Sequence, residues 1–491
     1  MENFPYVSVL VFLGVAGQYP HYPPQNDCPY KECFCVGNEM LCNYRYMKAV
    51  PQKRNNTSLN MGSIDFGGNL ITTIPARSLP ANLSKLSLES NPIETIDITA
   101  FDESINTLSS LSLSGARFTQ LPEAIFRLKH LTELDLYGIN ILTWNDTGMR
   151  GLGTTLQTLN LGAVGLTSWP GWLKSFSHLT ELSVTSSSIS ILPDDALDMV
   201  ATILTELSLT NNSLTSVPKT LSKMTVLTSL SLDQNRIKDI TWLPQLCNLT
   251  HLTLNGNHIS KAKKLSSALR FYADTIYYFQ INDNFLASIP DMSFLKLITS
   301  LDYTNNHISD PYSGVIPSDL TDLQLSNNLL PSIPRIFKTM NSVPNLILGF
   351  NRVLSVQASD FPIATLTVDL EHNIIVELTD SSFPENSNII SLILRFNPIS
   401  KISKSAFDNL PRLQQLDIQH TKLTRLPLAI ESLTQLSSID VSGSTDLVCT
   451  CLEKSLERII SQLSSYSVAG DCGQTSLYIF FTELSPSCPP M

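Results

Sequence analysis

One frame returns along most of this chain. Leu83-Ser-Lys-Leu86-Ser-Leu88-Glu-Ser-Asn91-Pro-Ile93-Glu-Thr-Ile96 reads L-x-x-L-x-L-x-x-N-x-L-x-x-L, and the same spacing recurs at Leu204–Val217, Leu320–Ile333 and Ile389–Ile402. Counted by its ninth position, the Asn slot, the frame falls at 69, 91, 116, 139, 164, 187, 212, 235, 257, 284, 306, 328, 351, 373, 397, 421 and 444. That makes 17 frames with a mean step of (444 − 69)/16, about 23 residues. A period of this size describes small units that have no core alone and are buried only by their neighbours. Length alone would give 491 residues about three domains. The period replaces that expectation with one continuous solenoid.

Each slot of the frame has a physical reading. Alternation in L-x-L points two apolar side chains inward from a short strand and leaves slots 3 and 5 facing out. A tight turn follows, whose buried backbone groups need partners. Asn can serve them with one side chain, because its amide both donates and accepts. Eleven of the 17 slots hold Asn; Ala116, Ile139, Val164, Ser187, Thr421 and Ser444 predict interruptions of the resulting ladder. Segments such as Leu121–Leu131 then return the chain. Pro122 suits the start of a short helical turn, and Phe126, or its counterpart Phe407, is expected to plug the core. Trp144 and Trp169, which close frames 4 and 5, are read as core as well.

The ends differ from the middle. Eight of nine cysteines form two clusters, Cys28, Cys33, Cys35, Cys42 and Cys449, Cys451, Cys472, Cys488. Neither contains a C-x2-C zinc knuckle, and each reads as two disulfides, with three connectivities open per cluster. The ninth, Cys247, sits in a returning segment and reads as a buried thiol. Residues 5–16 are apolar but too short to span a bilayer, and Val15 and Gly17 stand at −3 and −1 of a signal-peptidase cut before Gln18. Six sequons, at Asn55, Asn56, Asn82, Asn145, Asn211 and Asn248, agree with secretion.

In these features the chain resembles the extracellular leucine-rich repeat proteins of the typical class. Cys28-x4-Cys33-x-Cys35-x6-Cys42 is similar to that family's N-terminal cap and Cys449-x-Cys451-x20-Cys472-x15-Cys488 to its C-terminal cap. The resemblance implies an α/β horseshoe with a concave parallel sheet, and the pairs Cys28–Cys35, Cys33–Cys42, Cys449–Cys472 and Cys451–Cys488. The expected layout is a signal peptide (1–17), a linker (18–27), a cap (28–60), the repeats (61–447) and a second cap (448–491). One departure is the last frame, Ile439–Leu447, which lacks the family's Asn-Pro and predicts a looser entry into the C-terminal cap.

Function is sought on the outward slots 3, 5, 7 and 8. They carry 14 acidic residues, Asp302, Asp322, Asp369 and Glu371 among them, against two basic ones, Lys85 and Arg395. That difference of −12 accounts for the whole net charge of −11. The acidity argues against nucleic acid, and favours a partner with a basic face steered to this surface. Late frames add Ile347, Phe350, Ile393 and Phe396 on outward slots, with His372 and Arg395 beside them; Tyr137 and Tyr278 are further outward aromatics. Exposed aromatics and Arg are the usual anchors of binding. A glycan at Asn211 would obstruct the middle of the face. No nucleotide, hydrolase or zinc-protease motif occurs, and the eight His stand singly. The sequence therefore reads as a secreted, non-enzymatic module that binds a protein ligand, without cofactor, metal or membrane insertion. A matrix or accessory structural role, or the ectodomain of a longer receptor, stands as the alternative.

Overall fold

The computed structural model describes residues 28–54, 61–340, 343–362 and 364–489. The leader, the linker and the sequons at Asn55 and Asn56 lie outside these residues. The chain divides into two compact units, one ending at Thr132 and the other beginning at Glu133. The periodicity gives no hint of this division, which falls within the frames whose slots lack Asn.

In the first unit the hairpin Phe34–Val36 and Glu39–Leu41 leads into a parallel ladder through Ser63–Asp65, Lys85–Ser87 and Ser110–Ser112. Cys28–Cys35 and Cys33–Cys42 close its start. In the second unit one parallel sheet runs from Glu133–Asp135 to Tyr278–Gln280. Another runs from Ser300–Asp302 to Ser438–Asp440 and ends on the cap strand Val468–Ala469. Strands occupy slots 3 to 5 of the frames and pair slot for slot, as in Leu346 opposite Val368 opposite Leu392. The middle residue is buried and its neighbours are not, as the alternation requires. Among the described residues no helix is long and apolar enough to cross a membrane.

The Asn slot works as a three-way clamp. Asn328 donates from Nδ2 to the Tyr303 carbonyl of the preceding frame (2.9 Å) and to Leu325 (3.1 Å), while its Oδ1 accepts from the Ile308 N–H (2.9 Å). The same contacts repeat at Asn284, Asn306, Asn351 and Asn373. Where the slot is apolar the backbone turns on itself. The Ile93 N–H, with Ala116 in the next slot, bonds to the Asn91 carbonyl (2.8 Å), and the Ile141 N–H, with Val164 in the next slot, bonds to Ile139 (2.9 Å). At the far end Thr421 and Ser444 replace the amide with hydroxyls 3.0 Å apart.

Three expectations need correction. Phe126 is half-exposed, and Ile125 fills the core instead, because Ala124-Ile125 matches Ala406-Phe407. Trp144 is half-buried against Trp172, whereas Trp169 is core. The entry to the C-terminal cap is not loose. Beyond Ser444, Val448 N–H bonds to Thr424 and the Leu447 carbonyl accepts from Gly473. Thr450 and Glu453 then form a capping box, and the carboxylate of Glu453, only 2% exposed, is held by Arg425 Nε at 2.6 Å. Cys449–Cys472 and Cys451–Cys488 close this end. Cys247 is buried, and burial pushes its thiol up to about 11.

Removing one clamp tests how much the ladder holds. Asn328→Ala leaves the Ile308 N–H buried without a partner and removes one of the two amide donors that each of the Tyr303 and Leu325 carbonyls has, Asn306 and Asn351 supplying the others. It is expected to lower stability by about 1–3 kcal/mol in urea denaturation. A loss below about 0.5 kcal/mol would show that the backbone alone holds the turn.

Candidate functional site

The turn that the clamp secures also forces an unusual backbone at slot 8. That position lies in the left-handed region in frame after frame: φ is 53° at Ser90, 55° at Asn211, 55° at Asn305 and 53° at Asn327. A side chain there costs roughly 1–2 kcal/mol, least for Gly, Asn and Asp. Four consecutive frames nevertheless place rings at slot 8: Phe350 (φ 57°), His372 (49°), Phe396 (57°) and His420 (50°). Slot-for-slot pairing aligns them, and they stack nearly parallel with centroids 4.2, 4.1 and 4.2 Å apart. Stacking contributes about 0.5–1.5 kcal/mol per pair and offsets part of the strain. The next frame supplies Gly443, where a β-carbon would come within 2.3 Å of the His420 ring. The ring faces between neighbouring frames are thus used up within the stack. Edges stay outside, with Phe350 42% and Phe396 39% exposed.

A second line runs beside the stack on slot 5. Ile347, Asp369, Ile393, Asp417 and Asp440 are register partners in that order. Arg395 lies between the two lines, bonded to Glu371 and 3.9 Å from Asp417. Burial pushes the carboxyls of Asp369 and Asp417 above their usual range, against the backbone N–H each accepts. Beyond Ile393 the face sinks into a depression of about 280 Å³, walled by Ile393, Asp417, Asp440 and Tyr466, the last 99% exposed.

The structure divides the sequence candidates between two sheets. Ile347, Phe350, Asp369, Glu371, His372, Ile393, Arg395 and Phe396 come together. Asp302 and Asp322 are on earlier strands of the same sheet, where Asp302 accepts the Thr304 N–H (2.8 Å) and Asp322 the Ser300 hydroxyl (2.8 Å). Tyr278 belongs to the other sheet, beside His251 and Tyr277.

The acidic tally also changes meaning. Asp65, Asp135, Asp302, Asp369, Asp417 and Asp440 each accept the N–H two residues on, so six slot-5 carboxylates close turns as well as face solvent. Sequence reasoning missed His420, Gly443 and Tyr466. The slot-8 column, read down the frames as Phe-His-Phe-His-Gly, carried the first two. Five of the histidines, each apart from the others, make ring contacts with Phe or Tyr: His251, His258, His307, His372 and His420.

One sheet-face carboxylate is set apart by burial. Asp233, 6% exposed, accepts from the Asn255 N–H (2.7 Å), and desolvation pushes it up to about 6 despite that bond and those from Thr253 and Ser231. Its folded value lies above the unfolded 3.8, so the protonated form favours folding: that contribution is full below about pH 3.8 and lost as pH rises through about 6. Asp233→Asn is therefore expected to gain about 2–3 kcal/mol at pH 7.5 and nothing by pH 4. A gain that does not vary with pH in thermal melts would contradict the burial account.

Repeats, caps and sheet together define the class of protein. Leucine rich repeat models match residues 202–259, 366–423 and 387–447, and the chain carries these repeats between two disulfide-held caps. Among curated proteins it is similar to human leucine-rich repeats and immunoglobulin-like domains protein 1, 29% identical over 161 residues, covering 32% of this chain and 15% of that protein. Lumican of Bos taurus is 28% identical over 204 residues, covering 40% of this chain and 55% of its own. The chain thus spans less than two thirds of either relative. Among solved structures, YopM from Yersinia enterocolitica WA-314 aligns with a TM-score of 0.53 at 20% identity, covering 83% of each chain, which shows the shared fold.

Proposed function

We propose that the chain is a secreted, non-enzymatic recognition module that binds a protein ligand with a basic face across slots 5 to 8 of frames 13–17. The observation that carries this reading is the ring stack. Four neighbouring frames hold Phe or His in a backbone conformation that other frames give to Gly or to a small, amide or carboxylate residue, and strain kept at one place on a surface marks a functional site. The exposed edges, the isoleucines of slot 5 and the Glu371–Arg395–Asp417 cluster combine apolar anchors with charge, the usual composition of a binding centre. Asp417 and Asp440, in the terminal depression, suit a Lys or Arg side chain from the ligand. Secretion rests on the four disulfides, which need an oxidising compartment.

The test is an array of extracellular proteins probed with the purified chain. An Ile347→Ser/Phe396→Ser double variant is expected to weaken binding to the captured ligand at least tenfold, with its urea midpoint within about 0.5 M of the parent. Affinity should also fall as salt rises from about 50 to 500 mM, where the Debye length shrinks to a few ångströms. Loss of the fold in the double variant would make the stack purely structural, and salt-independent binding would remove the basic face from the proposal.

A further inference from the structure

A different part of the same face, in frames 8–10, has another chemistry, independent of the ring stack and of any ligand bound there. Here the sheet parts: Tyr278–Gln280 is the last strand of its sheet and Ser300–Asp302 the first of the next. The turns beyond remain joined, Asp283 N–H donating to Thr304 at 2.9 Å. At this edge three rings gather on slots 2 and 3. His251 meets Tyr277 edge-on at 4.6 Å and Tyr278 at 5.6 Å, and the two tyrosines are 50% and 40% exposed.

Beside the rings lies a set of planar polar groups that hold one another in place. Asn255 Nδ2 donates to Gln280 Oε1 (2.9 Å), Asn282 N–H donates to Asn255 Oδ1 (3.0 Å), and Asn255 N–H donates to Asp233 (2.7 Å). Thr253 donates to the Ser231 hydroxyl at 2.9 Å. With Oε1 so engaged, the Gln280 amide nitrogen and the Tyr278 hydroxyl are left to face a ligand. Aliphatic side chains, prominent in frames 13–15, are missing from the outward slots here.

We infer that His251, Tyr277, Tyr278, Asn255, Gln280 and Asp233 form a second site, which takes a neutral saccharide carried by another molecule. A sugar ring has a C–H face that packs on an aromatic ring and a rim of hydroxyls that each donate and accept. The Gln280 amide and the Tyr278 hydroxyl match that rim, Gln280 held in place by the buried Asn255 and Asn255 in turn by Asp233, without having to be ordered on binding. Charge selects within the class. Asp233, Asp283, Asp302 and Asp322 share this stretch of the face, so sialylated, uronate or sulfated sugars meet like charge and neutral ones do not. A second source of the same chemistry is close by: Asn211, a sequon residue, bonds through its N–H to the Asp233 carbonyl (2.8 Å).

The experiment is a glycan array probed with the whole glycosylated chain. Expected is binding to hexose- or N-acetylhexosamine-terminated oligosaccharides and none to their acidic counterparts. Tyr277→Ala/Tyr278→Ala and, separately, Gln280→Ala should each lose at least tenfold in apparent affinity with unchanged circular dichroism, and Asn211→Gln should bind as the parent does. No binding by parent and Asn211→Gln alike, a preference for acidic sugars, or equal binding by the folded variants would overturn the inference. Binding that emerges only in Asn211→Gln would overturn it too, since the chain's own glycan would then fill the site.

Discussion

The amide clamp at the ninth position of each frame is what the rest depends on. A coil of about 23 residues cannot bury its own turn, and each Asn meets an inward carbonyl of its own coil, another of the preceding coil and an N–H. One Asn satisfies all three and reaches into the preceding coil to do so, so satisfying the turn and stacking the coils are the same act. Where Ala116 or Val164 takes the slot, the backbone closes a local bond instead, and the coils there lean more heavily on their leucines. At the C-terminal end the clamp gives way to hydroxyls, then to the Thr450–Glu453–Arg425 cluster and two disulfides. The caps cover apolar core and sheet edge that a further coil would otherwise cover.

The clamp also explains why slot 8 is strained. A turn tight enough to bring slot 9 inward needs a left-handed residue just before it, and most frames relieve the strain with a small or amide residue. Frames 13–16 do not. Their rings recover part of the strain by stacking on each other, and the stack ends where Gly443 makes room for His420. Backbone geometry thereby turns a one-dimensional repeat into a line of four ring edges, beside a line of isoleucines and carboxylates.

The face is therefore not uniform. Frames 8–10 combine tyrosines with preset amides and a carboxylate shifted by burial; frames 13–17 combine ring edges, aliphatic side chains and an ion-paired arginine. The same parallel register serves both, because it repeats whatever stands in a slot once per strand and so converts a column of sequence into a row on a surface. Six aspartates that count as surface charge are also turn-formers, so the acidity of the face is partly a by-product of how the turns close.

The frame spacing by itself determined the repeat, the inward leucines, the Asn clamp with its gaps, and the clustering of cysteines at the ends, since each follows from local periodicity and the valence of backbone groups. Ile347, Phe350, His372, Ile393 and Phe396 were legible as outward residues for the same reason. Tertiary structure alone decided which of them meet: that Phe350, His372, Phe396 and His420 stack while Tyr278 stands apart on another sheet, that Tyr466 walls the depression beyond Ile393, and that Glu453 is buried against Arg425. These contacts join residues a full coil or more apart, and their distances are fixed by strand register and by the break between the sheets. A count along the chain cannot contain them.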